Sequence, residues 1–165
     1  MTAYTIDVLN EDTFPVNAAR LRQAAEMVLS QHEIAAQTGL TIVIDDDQAV
    51  RDLNRQFRQI DAPTDVLSFP ADAPPVEIED EAPYLGDLII AFPYASAQAE
   101  REGHELDDSL SLLVVHGTLH LLGYDHDTPE RRAEMWAAQA RALTALGIST
   151  DLVPALEGDT DDFQS

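Results

Sequence analysis

The chain has 165 residues, no cysteine, and 31 acidic against nine basic residues, giving a formal net charge of −22 at pH 7. The missing cysteine excludes disulfides and any disulfide partner, thiolate metal sites and cysteine nucleophiles. All nine basic residues are arginine; a surface this acidic repels nucleic acid at long range, and any contact with RNA has to come from a local cationic patch or a bound metal ion.

The length suits one domain, assigned to residues 1–150 and large enough to bury about two thirds of its unfolded surface. Residues 151–165 hold five acids and no base, the composition of a disordered acidic tail. No stretch reaches about 18 consecutive apolar residues, and residues 1–7 lack both a basic region and an apolar run. The expectation is a cytoplasmic chain with no membrane partner.

In chain order, Tyr4, Ile6 and Val8 alternate with Thr5, Asp7 and Leu9, a first strand at a sheet edge. After Pro15, Leu21, Ala24, Val28 and Leu29 recur at helical spacing and predict a helix over 15–31, with His32 a surface residue of no further role at its end. Residues 40–44 read as a buried strand, and Asp45-Asp46-Asp47 supplies an N-cap for the next helix. On that helix Val50, Leu53, Phe57 and Ile60 are expected to face the core. Arg51, Arg55 and Arg58 share the adjacent face. Arg51 and Arg55 read as solvated residues in ion pairs such as Asp47 to Arg51, whereas Arg58 stands at the helix end beside the next motif.

Asp61-Ala62-Pro63-Thr64 has the composition of a turn, and residues 65–69 that of a strand. The proline-rich acidic stretch 70–83 reads as a mobile surface loop. Residues 85–91 form the next strand, with Gly86 marking a bulge. A helix over 93–102 starts at Pro93 and stops at Gly103. Residues 107–122 are apolar around most of a helical circumference, so this helix is central and buried. Thr128-Pro129-Glu130 opens a last helix carrying Met135 and Trp136 and ending at Gly147. The fold class is therefore α/β: a small mixed β-sheet of about four strands packed with helices, its central buried helix carrying the histidines described next.

His116 and His120 are four apart, which on a helix puts them about 40° apart around the axis and about 6 Å apart along it, so both can address one ion. His126 would lie about 240° round a continued helix, but Gly123 can end the helix in the left-handed conformation and turn the chain back. Three imidazoles then converge. With histidine this scarce, two more at fixed offsets from a given one arise by chance about once in a thousand. The bland alternative makes His116 and His120 hydrogen-bonded core residues and His126 a loop residue. Three neutral imidazoles can hold one metal ion, with a fourth position left for water. The spacing H-x-x-x-H-x-x-G-x-x-H is shared with metzincin peptidases, which carry a glutamate general base directly after the first histidine. Here that position is Gly117.

Three blocks together resemble the bacterial endoribonucleases and rRNA maturation factors known as YbeY. They are Leu53-Asn54 through Phe57-Arg58 to Asp61-Ala62-Pro63-Thr64-Asp65-Val66-Leu67-Ser68-Phe69-Pro70, then Gly86-Asp87-Leu88-Ile89-Ile90, then His116 to His126. The likeness runs from about residue 40 to about 147. It implies that His116, His120 and His126 bind a metal, usually taken as zinc, and that an arginine at the position of Arg58 is needed for catalysis. It implies a single-strand-specific, metal-dependent endoribonuclease that matures the 16S rRNA 3′ end and takes part in ribosome quality control, with ribosomal RNA and the ribosome or its small subunit as partners. Many members have lysine where this chain has Ala62, which weakens the positive charge near Arg58, and an acid where it has Ser109, which weakens a contact behind the site. Two alternatives stay open: a metzincin-like metal-dependent peptidase, and a non-catalytic zinc-containing ribosome assembly factor.

Overall fold

A computed structural model describes residues 4–10, 13–62, 64–71 and 84–149. The expected tail over 151–165 and residues 72–83 of the loop expected over 70–83 lie outside the described residues, while Pro70, expected in that loop, ends a strand. The elements are β1 (Thr5–Leu9), α1 (Ala18–Gln31), β2 (Gly39–Asp45), α2 (Asp47–Arg58), β3 (Val66–Pro70), β4 (Tyr84–Ala91), α3 (Phe92–Glu102), α4 (Leu106–Leu121) and α5 (Pro129–Leu146). The four strands form one sheet in the order β1-β2-β4-β3; β1, β2 and β4 run parallel and β3 is antiparallel to β4. The mixed four-stranded sheet and the edge position of β1 agree with the sequence reading.

Strand alternation decides which face meets which helices. Ile6, Leu40, Ile42, Ile44, Val66, Leu88 and Ile90 share the main core with buried residues of α1, α4 and α5. The opposite face makes a small second cluster of Val50, Leu67 and Ala91, with Leu53, Phe69, Ile89 and Tyr94 packed against it. Helix α4 is buried from Leu110 to Leu119 without a break, and each of its fully buried Leu and Val side chains is worth about 1.5–3 kcal/mol relative to exposure. Arg20 of α1 reaches Asp108 at the start of α4 at 2.7 Å, which sets how those two helices lie together.

Local chemistry moves some elements from their expected positions. Helix α1 begins at Ala18 because the Asn17 side chain accepts the Arg20 amide, which leaves Pro15 outside the helix. Asp46 caps α2 as expected, but Asp47 does not pair with Arg51: its carboxylate accepts the Tyr94 amide at 2.9 Å, and Arg51 reaches Asp61 at 2.8 Å. Phe57, expected in the core, is 56% exposed and lies edge-on against Phe69, because the small cluster under α2 does not extend beneath its last turn. No helix among the described residues is long and apolar enough to cross a membrane.

Two glycines fix the sheet and its contact with α4. Between Gly39–Tyr84 and Thr41–Asp87 the β2–β4 register shifts, placing an extra residue on β4, and Gly86 has φ +140° there. A Cβ on Gly86 would stand 2.2 Å from the Phe69 carbonyl oxygen, and one on Gly117 would stand 2.7 Å from Leu88 Cδ2. Gly103 also has positive φ, +73°, but has open space around it. Gly86→Ala is therefore expected to lose at least about 3 kcal/mol in a urea-unfolding measurement, and Gly103→Ala only about 1 kcal/mol. Equal losses would show that the close approach at Gly86 is relieved cheaply.

Candidate metal centre

The end of α4 builds the first part of the site. Gly123 has φ +104°; its amide donates to the His120 carbonyl at 3.0 Å, and the Tyr124 amide donates to the Leu119 carbonyl at 3.0 Å. This pair of bonds is a Schellman ending. It reverses the chain so that His126, whose amide donates to the Asp125 carboxylate at 2.8 Å, returns to the face carrying His116 and His120. The three ring centroids are 4.6, 5.2 and 5.5 Å apart, and one nitrogen from each ring lies within 4.8 Å of the others.

Hydrogen bonds behind the rings assign their protons. His120 Nδ1–H donates to the Tyr124 carbonyl at 3.0 Å, and His116 Nδ1–H donates to Gln139 Oε1 at 2.6 Å. Both acceptors lack a proton to give, so each Nδ1 holds a hydrogen, and in the neutral ring Nε2 is the nitrogen left to ligate. Those two Nε2 atoms face each other at 3.1 Å. The separation is close to the about 3.4 Å between two ligands of a tetrahedral ion with bonds of about 2.0–2.1 Å. His126 Nδ1 is buried without a partner. The donor set therefore fits a divalent cation, and this cluster could hold one.

Burial is the main reason that His116 is held well below the usual imidazole pKa; the nearby His120 adds to the effect, while the bond to Gln139 works against it. Burial likewise lowers His126, against the opposing influence of Asp125. Both rings are thus kept in the neutral, ligand-competent form.

The sequence placed the three histidines but not their supports. Gln139 is fully buried among Met135, Ala138, Ala142 and Leu143; one amide in an apolar helical stripe is the signal that could have found it. Trp136 lies edge-on to His116 at 5.9 Å and to His126 at 5.8 Å. His32 is not an idle surface residue: its Nδ1–H donates to the Val28 carbonyl at 2.8 Å, and its Nε2 accepts the Tyr124 hydroxyl at 2.9 Å. It thereby anchors the residue whose carbonyl orients His120. Arg51 and Arg55 pair with Asp61 and Asp52 as solvated residues. Arg58 is the last residue of α2, and its side chain lies outside the described residues.

A sequence model of the family described as Endoribonuclease YbeY matches residues 7–147. The chain belongs to the YbeY family. An endoribonuclease YbeY of Roseiflexus sp. (strain RS-1) is 42% identical over 140 residues, covering 82% of this chain and 88% of that one. The endoribonuclease YbeY of Brevibacillus brevis is 38% identical over 158 residues, covering 88% and 98%. Among solved structures, the solution structure of TM1509 from Thermotoga maritima superposes with a TM-score of 0.58 at 26% identity, covering 86% of this chain and 89% of that one.

The sign of the pH dependence follows from the buried rings. Unfolded imidazoles titrate near about 6.5, so below that pH the unfolded chain takes up protons that His116 and His126 refuse when folded. Stability of the metal-free YbeY chain is expected to hold above about pH 6.5 and to fall on acidification, by at most about 1.4 kcal/mol per pH unit for each ring. Urea midpoints between pH 7.5 and 5.5 measure this, and a smaller slope in His116→Asn assigns it. Gln139→Leu is expected to weaken metal affinity by about 10- to 100-fold, read by competition with a chromogenic chelator.

Proposed function

We propose that the chain is a metal-dependent endoribonuclease acting on single-stranded ribosomal RNA, maturing the 16S rRNA 3′ end and serving ribosome quality control in the cytoplasm. The observation that carries this reading is the convergence of His116 Nε2 and His120 Nε2, 3.1 Å apart, beside His126, in a chain whose curated relatives are named endoribonucleases. His116, His120 and His126 would hold one divalent ion, zinc or another transition metal. Such an ion supplies Lewis acidity toward a phosphoryl oxygen and lowers the pKa of water.

The protein's own groups do the rest. Gln139 and the Tyr124 carbonyl hold two rings in one tautomer and orientation. Trp136 packs edge-on against two of the three rings, His116 and His126. Arg58, at the end of α2, would grip phosphate oxygens through its planar fork and stabilise charge that builds during displacement at phosphorus.

Neither alternative finds support. The position where a metzincin carries its glutamate is Gly117, packed against Leu88 of β4 with no room for a side chain. A purely structural zinc site would close with four protein ligands, and among the described residues no fourth His, Cys, Asp or Glu joins the three histidines.

Alanine at His116, His120 or His126 is expected to lower bound metal and cleavage of a labelled rRNA precursor together. Arg58→Ala should abolish cleavage with metal content and folding unchanged, and Arg58→Lys should restore only part, since an ammonium keeps the charge without the fork. Metal content and cleavage measured on the same preparations decide. Undiminished cleavage in Arg58→Ala would remove the arginine from the mechanism.

A further inference from the structure

Arg132 and Trp136 stand one turn apart near the start of α5, and a spacing of four puts them on one helix face. Together with Thr128, Pro129, Ala133 and Asp127 they line an open cavity of about 320 Å³, a size found among small-ligand sites. Trp136 also touches the histidine cluster, edge-on to both His116 and His126. Arg132 is near enough to His126 for its charge to oppose protonation of that ring. Trp136 is thus shared between the cavity wall and the histidine cluster.

Fold stability does not account for Arg132. Among the described residues it forms no ion pair, in a chain with 31 carboxylates, whereas its neighbour Arg131 reaches Asp127 at 3.2 Å. Its Nε is buried with no partner, and a cation at this end of a helix opposes the macrodipole. Each of these features costs stability, and an anionic ligand would offset all of them. Asp127, the acid on the cavity wall, is already engaged by Arg131. Trp136 Nε1–H is likewise a buried donor without an acceptor.

We infer that this cavity is a nucleotide subsite beside the metal centre, taking one base of the RNA strand against Trp136 and the adjoining phosphate on Arg132. Stacking on an indole tolerates any base, and the arginine fork grips phosphate oxygens without reading sequence. A base in a duplex is already stacked between its neighbours, so the subsite selects single strands. The inference rests on the RNA reading of the site given above.

Trp136 is the only tryptophan in the chain, so its fluorescence reports occupancy directly. The zinc-loaded and the metal-free full chain are titrated with AMP, adenosine and inorganic phosphate. AMP is expected to quench saturably in both states and to bind more tightly than either fragment. Arg132→Ala should weaken AMP by about tenfold. Arg141→Ala removes the same charge from the far end of α5, away from the cavity lining, and should change affinity by less than about twofold. Arg132→Gln carries the same test if the alanine variant does not fold. No saturable quenching by AMP, AMP binding no tighter than phosphate, or equal effects of the Arg141 and Arg132 variants would each overturn the inference. The readout needs no cleavage, so failure of the subsite leaves the endoribonuclease reading intact, and failure of that reading is seen separately in the histidine variants.

Discussion

Two imidazole nitrogens 3.1 Å apart, on rings whose Nδ1 hydrogens are both engaged, are the constraint on which the structure turns. Both Nδ1 hydrogens are committed to acceptors, the Gln139 amide oxygen and the Tyr124 carbonyl, so in the neutral rings the two Nε2 atoms point at one shared position. A cation there would be ligated by both. Burial adds to this by keeping His116 neutral where a proton would otherwise have served.

The fold is arranged to hold that geometry. Helix α4 is buried along most of its length, and Gly117 lets it lie directly on Leu88 of β4. The Schellman turn at Gly123 sets the return of the chain, and Tyr124 is held at both ends: its carbonyl by His120 and its hydroxyl by His32 on α1. Helix α5 supplies Gln139 and Trp136 from the other side. Elements far apart in the chain therefore converge on one cluster, which explains why a chain with few histidines places three of them here.

Much of this was legible in the sequence, because it rests on local rules. The i, i+4 spacing of His116 and His120, the helix-ending Gly123, and the apolar circumference of α4 are all properties of short windows, as is the Gly86 bulge. What the sequence did not show depends on partners distant in the chain. His32 is 92 residues from Tyr124 and Gln139 is 23 from His116, and no periodicity reports such pairings. Phe57 had the spacing of a core residue, but core membership needs something beneath it, and the cluster under α2 is too small. Arg51 found Asp61 rather than Asp47 because Asp47 was already bonded to the Tyr94 amide.

The acidic composition bears on how the site meets a polyanion. Repulsion from exposed carboxylates is screened over about 8 Å at physiological salt, while a metal ion and individual arginines act at contact distance. Most described arginines near carboxylates are already paired with them, as Arg20, Arg51, Arg55 and Arg131 are, so attraction for RNA is left to a few groups around the histidines. That makes the ion the centre of the account. The most direct test is to strip the purified chain with a chelator and add back zinc in known increments, following cleavage of a single-stranded rRNA fragment at each step. The account predicts no cleavage by the stripped chain and recovery in proportion to zinc, complete at one equivalent per chain; full cleavage without metal, or recovery that needs a second equivalent, would contradict it.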